Sequence, residues 1–255
     1  MKKELALVVL SGGQDSITCL GVALKDYEQV EAITFDYGQR HRDAELGAAE
    51  AVCKKYGVKQ TVVVLGDALS KLAPSALTDA AADDTGTSQP HPLYPDLPAS
   101  FVPGRNALFL TLAYAKAVGI GAKAIITGVC QTDFSGYPDC RRHFIDSLQT
   151  ALISGYTIPI RIETPLMWIN KAATFELAEK VGILDDIIEL SRTCYNGSDQ
   201  MNEWGHGCGE CPACKVRAEG WRVFLHLTGK DKVVGSEPTT AESQQATPTP
   251  TPAKE

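Results

Sequence analysis

The sequence lacks three features that would place it in familiar classes of protein. No apolar stretch approaches the roughly 20 residues that cross a bilayer, so we expect no membrane partner. The net charge of −7 disfavours a broad surface for nucleic acid, although a local basic groove is compatible with it. The pattern Gly-x-x-x-x-Gly-Lys-Ser/Thr does not occur, which excludes a Walker-type phosphate loop.

A secretion signal is also lacking at the start of the sequence. Met1-Lys2-Lys3-Glu4 leads into a short strand-like run without a signal-peptide cleavage site, so we expect a cytoplasmic protein. In that compartment the eight cysteines are better explained as thiols or metal ligands than as disulfides. Cys19 and Cys53 fall within helical apolar patterns and are expected to be small buried residues.

Four of the remaining cysteines have the spacing of a metal site. Cys208, Cys211 and Cys214 follow one another at intervals of three, and Cys194 lies upstream. Four sulfurs close a tetrahedral zinc site and leave no position for water, which predicts a structural Zn²⁺. His206 is an alternative ligand that four thiolates make unnecessary.

The most informative motif, Ser11-Gly12-Gly13-Gln14-Asp15-Ser16, lies between the apolar run Leu5–Leu10 and a helical pattern. Its glycines allow a tight turn close to an anion, while its serines and the first free N–H groups of the helix offer donors. An ordinary glycine-containing turn is the alternative. The motif resembles the Ser-Gly-Gly-x-Asp-Ser signature of the PP-loop ATP pyrophosphatases, which adenylate a substrate and release pyrophosphate. This resemblance implies ATP as cosubstrate.

Strand and helix patterns alternate along the chain. The alternation predicts an α/β fold with a doubly wound, mostly parallel sheet, whose ligand crevice lies at the carboxyl ends of the strands. Strands are predicted at Leu5–Leu10, Val30–Phe35, Gln60–Leu65, Ala124–Thr127 and Ile160–Ile162. Helices are predicted at Ser16–Lys25, Asp43–Tyr56, Asn106–Val118, Arg141–Ser154 and Lys171–Val181.

Segments that follow two of these strands could reach the crevice. Phe35–Arg42 carries an acidic residue, an aromatic ring and basic residues, although a solvated turn is the simpler explanation for it. Gly128–Arg142 carries two carboxylates and two arginines among turn residues. Within it, Asp139 could serve only to cap the next helix.

Two cations lie near predicted helix starts. Arg105 begins a helix, where the macrodipole gives a cation no benefit, so an anionic partner is favoured and an N-cap at Asn106 is the competing explanation. Asn170 is typical of an N-cap. Spacing alone favours solvent, rather than a phosphate, for the neighbouring Lys171.

In order along residues 4–228, the sequence closely resembles the 7-cyano-7-deazaguanine synthase family of the PP-loop group. That family makes the nitrile precursor of queuosine from 7-carboxy-7-deazaguanine, ammonia and ATP, with zinc as a structural ion. The resemblance also implies two successive adenylations in one site and a homodimer. The matching segments are Ser11–Ser16, Phe35–His41, Ser75–Thr78, Val102–Phe109, Gly128–Arg141, Cys194–Gly197 and Cys208–Arg217.

The resemblance further implies an adenine nucleotide alpha hydrolase-like fold and a set of site residues. Candidates for catalysis are Asp15, Arg105, Lys171 and Arg217, with Mg²⁺ bridging phosphate oxygens. Cysteine ligands 194, 208, 211 and 214 hold the zinc. Contacts to ATP are expected from Leu10, Ser11, Gly12, Gly13, Gln14, Asp15, Ser16, Asp36, Tyr37, Gly38, Gln39, Arg105, Gly128 and Asp133.

Three regions are predicted: a nucleotide-binding domain over 1–190, a zinc-binding segment with a C-terminal helix over 191–230, and a disordered tail over 236–255. Two rival functions stay open. A PP-loop enzyme that thiolates tRNA also combines ATP with cysteines, but the acidic charge and the grouped cysteines count against it. A non-enzymatic zinc-knot adaptor would leave the signature motif without a purpose.

Overall fold

The computed structural model describes residues 3–73, 75–79, 89–91, 93–132 and 136–232. Five parallel strands form one sheet in the order β3-β2-β1-β4-β5. The predicted tail, 236–255, and Asp133 lie outside the described residues. The strands are β1 (Lys3–Val9), β2 (Tyr27–Asp36), β3 (Lys59–Val64), β4 (Ala124–Ile126) and β5 (Arg161–Glu163).

Helices cover both faces of this sheet, and a two-stranded antiparallel ribbon lies near the end of the described chain. The helices are α1 (Gln14–Asp26), α2 (Arg42–Tyr56), α3 (Ala68–Leu72), α4 (Arg105–Ile120), α5 (Arg142–Tyr156), α6 (Lys171–Val181), α7 (Leu184–Leu190) and α8 (Pro212–Thr228). The ribbon pairs β6 (Met201–Asn202) with β7 (Gly205–His206). No helix within the described ranges is long and apolar enough to cross a membrane.

The core is divided by the sheet. Side chains of Ala6 and Val8 pack in a cluster with α1, α6, α7 and α8, whereas Leu7 between them packs with α4 and α5. This alternation follows from the two-residue period of a strand, and both faces are apolar because both are covered. The predicted doubly wound α/β fold is confirmed.

The strand order positions the site. β1 is central, with β2 on one side and β4 on the other. The chain therefore leaves β1 and β4 in opposite directions, and a crevice forms between the carboxyl ends of these two strands. Ligands bind at such a switch point, outside the carboxyl ends of the strands. Residues Leu10 to Ser16 and Thr127 to Gly128 lie there.

Predicted and observed elements agree in type and order, with ends that shift by a few residues. α6 spans the predicted residues because Asn170 caps it, accepting from the Ala173 N–H at 3.0 Å, and Gly182 ends it at φ 81°. The prediction did not include α3, α7 or the β6–β7 ribbon. These are short elements whose sequences carry little periodicity.

Candidate active site and metal centre

A cavity of about 540 Å³ lies at the carboxyl ends of β1, β2 and β4. The signature loop forms its floor, and the loop after β2, the start of α4 and the start of α8 contribute walls. Predicted site residues that line it are Leu10, Ser11, Gly13, Gln14, Asp15, Ser16, Tyr37, Arg105, Gly128 and Lys171.

The signature loop is held by its own hydrogen bonds. Ser16 Oγ accepts from the Ser11 and Gly12 N–H groups at 3.2 and 3.1 Å and donates to the Gly13 carbonyl at 2.9 Å. Gly12 adopts φ 92°, and a Cβ there would approach the Glu45 carbonyl oxygen to 2.3 Å. Only glycine fits this position, and the turn is held by hydrogen bonds within the chain.

Four backbone N–H groups of this loop already have acceptors, and only one of them, that of Gln14, belongs to the start of α1. Besides the two bonds to Ser16, the Gly13 N–H donates to Ser11 Oγ at 3.3 Å, and the Gln14 N–H donates to Thr193 Oγ1 at 3.2 Å. An anion at this turn would therefore have to share or replace some of these bonds.

Lys171 and Asp15 form an ion pair across the cavity. Lys171 Nζ lies 2.8 Å from each carboxylate oxygen of Asp15, and the lysine is only 9% exposed. The preference for solvent drawn from spacing is therefore wrong, because the first turn of α6 packs against α1 and α8 and turns Lys171 inward. A Cβ at Gly128 would lie 3.1 Å from the Asp15 backbone, so that glycine lets β4 approach the pair.

Arg105 is the first residue of α4, and two aromatic rings contact its guanidinium group. Its Nη1 lies 3.4 Å from the Tyr37 hydroxyl, and its guanidinium carbon lies 5.9 and 5.8 Å from the ring centres of Tyr37 and Tyr137. Burial opposes its charge, yet the oxygens of Tyr37, Tyr137 and Asp139 raise the pKa of Arg105. Arg105 is a fixed cation in the cavity wall.

Asn106 does not cap α4, so that competing explanation is wrong. Gly104, at φ 75°, occupies the cap position without a side-chain bond, and the Asn106 amide donates to Cys140 Sγ at 3.4 Å. Asp139 Oδ2 instead accepts from the Asn106 N–H at 3.4 Å, so it supports α4 rather than the next helix. Burial raises the pKa of Asp139, and Arg105 acts in the opposite direction.

In the loop after β2, one of the predicted site residues faces the cavity with its aromatic ring. The other predicted residues of this loop do not line the cavity. Tyr37 lines the cavity, and burial raises its pKa to about 12. Asp36 Oδ1 accepts from the Gly38 N–H at 3.2 Å, and Gln39 Oε1 accepts from the Tyr37 N–H at 3.0 Å. Asp36, Gly38 and Gln39 are not among the lining residues, and neither is Gly12.

His41 and Glu45 line the cavity although neither was a predicted site residue. His41 Nε2 lies 3.4 Å from Glu45 Oε1, and Glu45 Oε2 accepts from the Gln39 amide at 3.0 Å. Burial alone would lower the pKa of His41, but the Glu45 carboxylate raises it above its ordinary value. The available signal was their spacing of four at a helix start, which places both on one face.

The four predicted cysteines converge. Sγ atoms of Cys194, Cys208, Cys211 and Cys214 all lie within 4.8 Å of one another, and Cys208 and Cys214 are 3.9 Å apart. A tetrahedral ion with sulfurs at 2.3 Å separates them by about 3.8 Å, so the donor set fits zinc. Cys208 Sγ also accepts from the Glu210 and Cys211 N–H groups. His206 is outside this cluster, and its Nδ1 lies 2.9 Å from the Asp199 carbonyl.

Arg217 is fully buried and is not a lining residue. It donates to the carbonyls of Trp204 and Ile187 at 2.8 Å each and to Thr193 Oγ1 at 3.1 Å. Its three acceptors are protein groups, because α8 turns this residue into the packing beneath the cysteine cluster. The placement of Arg217 against a phosphate or a substrate carboxylate is corrected by this geometry.

The family model described as Queuosine biosynthesis protein QueC matches residues 5–225, which is most of the chain. The chain belongs to this family. A 7-cyano-7-deazaguanine synthase of Wolinella succinogenes is 52% identical over 220 residues, covering 86% of this chain and 93% of that relative. One of Lysinibacillus sphaericus is 48% identical over 227 residues, covering 88% and 97%.

Distant likenesses to solved structures accompany this membership. A 4-thiouridine synthetase in complex with RNA and ATP has a TM-score of 0.44 at 18% identity, over 90% of this chain and 52% of that one. The U34-tRNA thiolase NcsA of Methanococcus maripaludis, with its 4Fe-4S cluster, has a TM-score of 0.40 at 14% identity, over 89% and 66%.

Proposed function

We propose that this protein is an ATP-dependent ligase that converts 7-carboxy-7-deazaguanine and ammonia to 7-cyano-7-deazaguanine in queuosine biosynthesis. The observation that carries the proposal is membership of the QueC family over residues 5–225. The cavity supports it, because a formed signature turn, a buried lysine and a fixed arginine surround a space large enough for a nucleotide and a small heterocycle.

The reaction needs two activations. A carboxylate is a poor electrophile, so its oxygen attacks the α-phosphate of ATP, pyrophosphate leaves, and an acyl-adenylate forms. Ammonia then displaces AMP to give an amide. A second adenylation, on the amide oxygen, allows loss of AMP and leaves the nitrile. Each step gains from positioning and charge stabilisation rather than from a protein nucleophile.

The lining residues would have different roles in these steps. The Ser11–Ser16 turn would hold the pyrophosphate group, and Lys171 and Arg105 would stabilise charge on phosphate or hold the substrate carboxylate. Asp15 fixes the position of Lys171. Mg²⁺ would neutralise phosphate oxygens, and with both Asp15 oxygens bonded to Lys171 it would be held chiefly by ATP. Arg217 would act only by positioning Thr193.

We propose that the cysteine cluster holds a structural Zn²⁺, because the four thiols converge and leave no ligand position for water. Residues 1–190 would form the nucleotide-binding domain and residues 191–230 the zinc segment that packs on it. A homodimer, as the resemblance implies, and a cytoplasmic location stay predictions. Light scattering on the purified protein and fractionation of cells would test them.

The decisive experiment supplies the purified protein with ATP, ammonium and 7-carboxy-7-deazaguanine, and follows AMP, pyrophosphate and product mass. The proposal expects AMP and pyrophosphate that depend on the carboxylate, and a nitrile product. Formation of AMP only in the presence of tRNA would instead favour a tRNA-modifying enzyme. No AMP with either substrate would favour a non-enzymatic adaptor.

Replacing Lys171 with Ala tests the site directly. Loss of the ammonium group removes a cation from the cavity, and we expect nitrile formation to fall by about 100-fold. Thermal unfolding and metal content should change little, because Asp15 is partly solvated. Lys180→Ala is the matched control on the same helix, since Lys180 is exposed and pairs with Glu176. Near-normal turnover in Lys171→Ala would remove this lysine from the mechanism.

A further inference from the structure

The proposed reaction needs a group that accepts protons, and activation by ATP does not supply one. A nitrile nitrogen carries no hydrogen, so all three protons of ammonia must leave it. One leaves when ammonia attacks the acyl-adenylate, and two leave as the amide becomes the nitrile. The inference below rests on the proposed function and concerns the group that accepts these protons.

The carboxylates that line the cavity are already engaged. Both oxygens of Asp15 accept from Lys171 at 2.8 Å. Glu45 receives the Gln39 amide on one oxygen and faces His41 with the other. Each of these carboxylates therefore already has a partner within the protein.

Three phenols and thiols of the cavity have raised pKa values, and two others donate hydrogen bonds to protein oxygens. Burial raises the pKa of Tyr37 and of Cys140 to about 12 each, and raises that of Tyr195 well above its ordinary value. Tyr137 donates its hydroxyl proton to Ser100 Oγ at 2.7 Å, and the Cys130 thiol donates to the Ile169 carbonyl at 3.2 Å.

His41 differs from these groups, because it lines the cavity with a buried ring nitrogen that has no hydrogen-bond partner among the described residues. It is 94% buried, and its Nδ1 has no hydrogen-bond partner among the described residues, whereas Nε2 lies 3.4 Å from Glu45. A carboxylate beside Nε2 favours the tautomer that carries its proton there, which leaves the lone pair on Nδ1. The Gln39 amide in turn fixes Glu45. This is the arrangement of a base oriented by an acid and a third group.

We propose that His41 Nδ1, oriented by Glu45, accepts the N–H protons released during amide and nitrile formation. In the first of these steps the ammonia nitrogen forms a bond to the acyl carbon and the carbon–oxygen bond to AMP breaks. AMP leaves with the electron pair, and the proton passes from nitrogen to Nδ1 and then to water. In the nitrile step the second ATP has adenylated the amide oxygen. The carbon–oxygen bond breaks and AMP again leaves with the electron pair, two N–H bonds break in turn while nitrogen keeps their electrons, and a carbon–nitrogen triple bond forms. Each proton passes to Nδ1 and then to water, and no oxidant is needed.

The charges that face His41 set its readiness to accept a proton. Burial opposes the protonated form, whereas the Glu45 carboxylate favours it and raises the pKa of His41 above its ordinary value. Arg105 from α4 acts against it. The Tyr195 ring lies 5.9 Å from the imidazole and shields it.

The test separates adenylation from amine chemistry. Carboxylate-dependent exchange of labelled pyrophosphate into ATP reports the first adenylation, which moves no N–H proton. His41→Gln keeps an amide that can reach Glu45 but removes the basic nitrogen. We expect the ratio of amide and nitrile formation to exchange to fall by about 100-fold. If the ratio stays within about threefold of the parent, the proposal is wrong.

Hydroxylamine provides a second readout. It is a stronger nucleophile than ammonia at neutral pH and needs less help from a base, so His41→Gln should favour hydroxamate over amide by at least about tenfold relative to the parent. A purely structural defect would lower both products together and would overturn the proposal. Absence of exchange in the parent protein would count against the proposed function instead.

Glu45→Gln covers the case in which His41→Gln does not fold. It keeps a side chain of equal size but removes the charge, and we expect the same ratio to fall by about tenfold. Glu50→Gln is the matched control, because Glu50 is an exposed carboxylate on the same helix. Equal ratios in the two glutamate variants would contradict the role of Glu45.

Discussion

Two walls of the cavity are built in different ways. The signature loop is stabilised within six residues, by the four bonds of Ser16 Oγ and by the start of α1. The opposite wall belongs to the cysteine segment, residues 191–217, which contains only two strands of two residues each before α8. Its shape depends on four converging thiols and on one buried arginine. One wall of the site is therefore held by bonds between neighbouring residues, and the other by contacts between residues farther apart in the chain.

The two walls are joined at a few defined bonds. The Arg192 N–H donates to the Gly12 carbonyl at 2.9 Å, and the Gln14 N–H donates to Thr193 Oγ1. Arg217 donates to the same hydroxyl from the other side. We therefore expect a change in the cysteine segment to reach the loop that would hold pyrophosphate, so that the proposed metal centre would support the active site through these bonds.

Removing one thiol should have the largest effect on this arrangement. Cys214→Ser replaces a proposed metal ligand, and we expect loss of bound zinc and a fall in nitrile formation of more than about 100-fold, since the binding energy of a structural metal is folding energy. Elemental analysis and the activity assay measure the two outcomes. A chelator should reproduce both in the parent protein.

Cys53→Ala is the control, because Cys53 is a buried cysteine of the core outside the cluster. It should cost about 1 kcal/mol of stability and leave the metal content unchanged. Full activity in a metal-free Cys214→Ser protein would show that the two walls are independent.

The difference between the two walls also explains which features of the site could be predicted from the sequence. The signature loop and the cysteine ligands were predicted because each is a pattern over neighbouring residues, and the alternation of elements predicted the sheet. Spacing alone misplaced Lys171 in solvent, and Arg217 was expected at a phosphate or carboxylate, because the environment of both is set by packing between α6, α8 and the core, which no local pattern encodes. A buried cation can pair with a carboxylate far along the chain, as Lys171 does with Asp15.

The loop after β2 lies between these cases. Its position near the site was predicted, but Tyr37 and His41 point into the cavity while Asp36 and Gln39 turn back to support the loop. That division depends on side-chain hydrogen bonds two residues apart, which turn residues form in many settings. A pattern can place such a loop and cannot choose which of its side chains faces a ligand.

A smaller effect is expected when one methyl group is added to the signature loop. Gly12→Ala would place Cβ 2.3 Å from the Glu45 carbonyl oxygen at a positive φ, so we expect a loss of roughly 2–4 kcal/mol in urea unfolding. Gly57→Ala is the control at φ 64° with no atom within 4 Å, and should cost about 1 kcal/mol. Equal losses would mean that the signature loop is not packed against α2.

The smallest expected effect falls on the junction itself. Thr193→Val keeps the shape of the side chain but leaves the Gln14 N–H and one Arg217 donor without their shared acceptor, which should cost roughly 1–3 kcal/mol of stability. Because the metal ligands are untouched, metal content should stay at the parent value while the KM for ATP rises a few-fold. Combining Thr193→Val with Arg217→Met in a double-mutant cycle measures the coupling. Strict additivity would place the junction elsewhere, at the Arg192 bond to Gly12, and would confine the influence of the metal centre to its own wall.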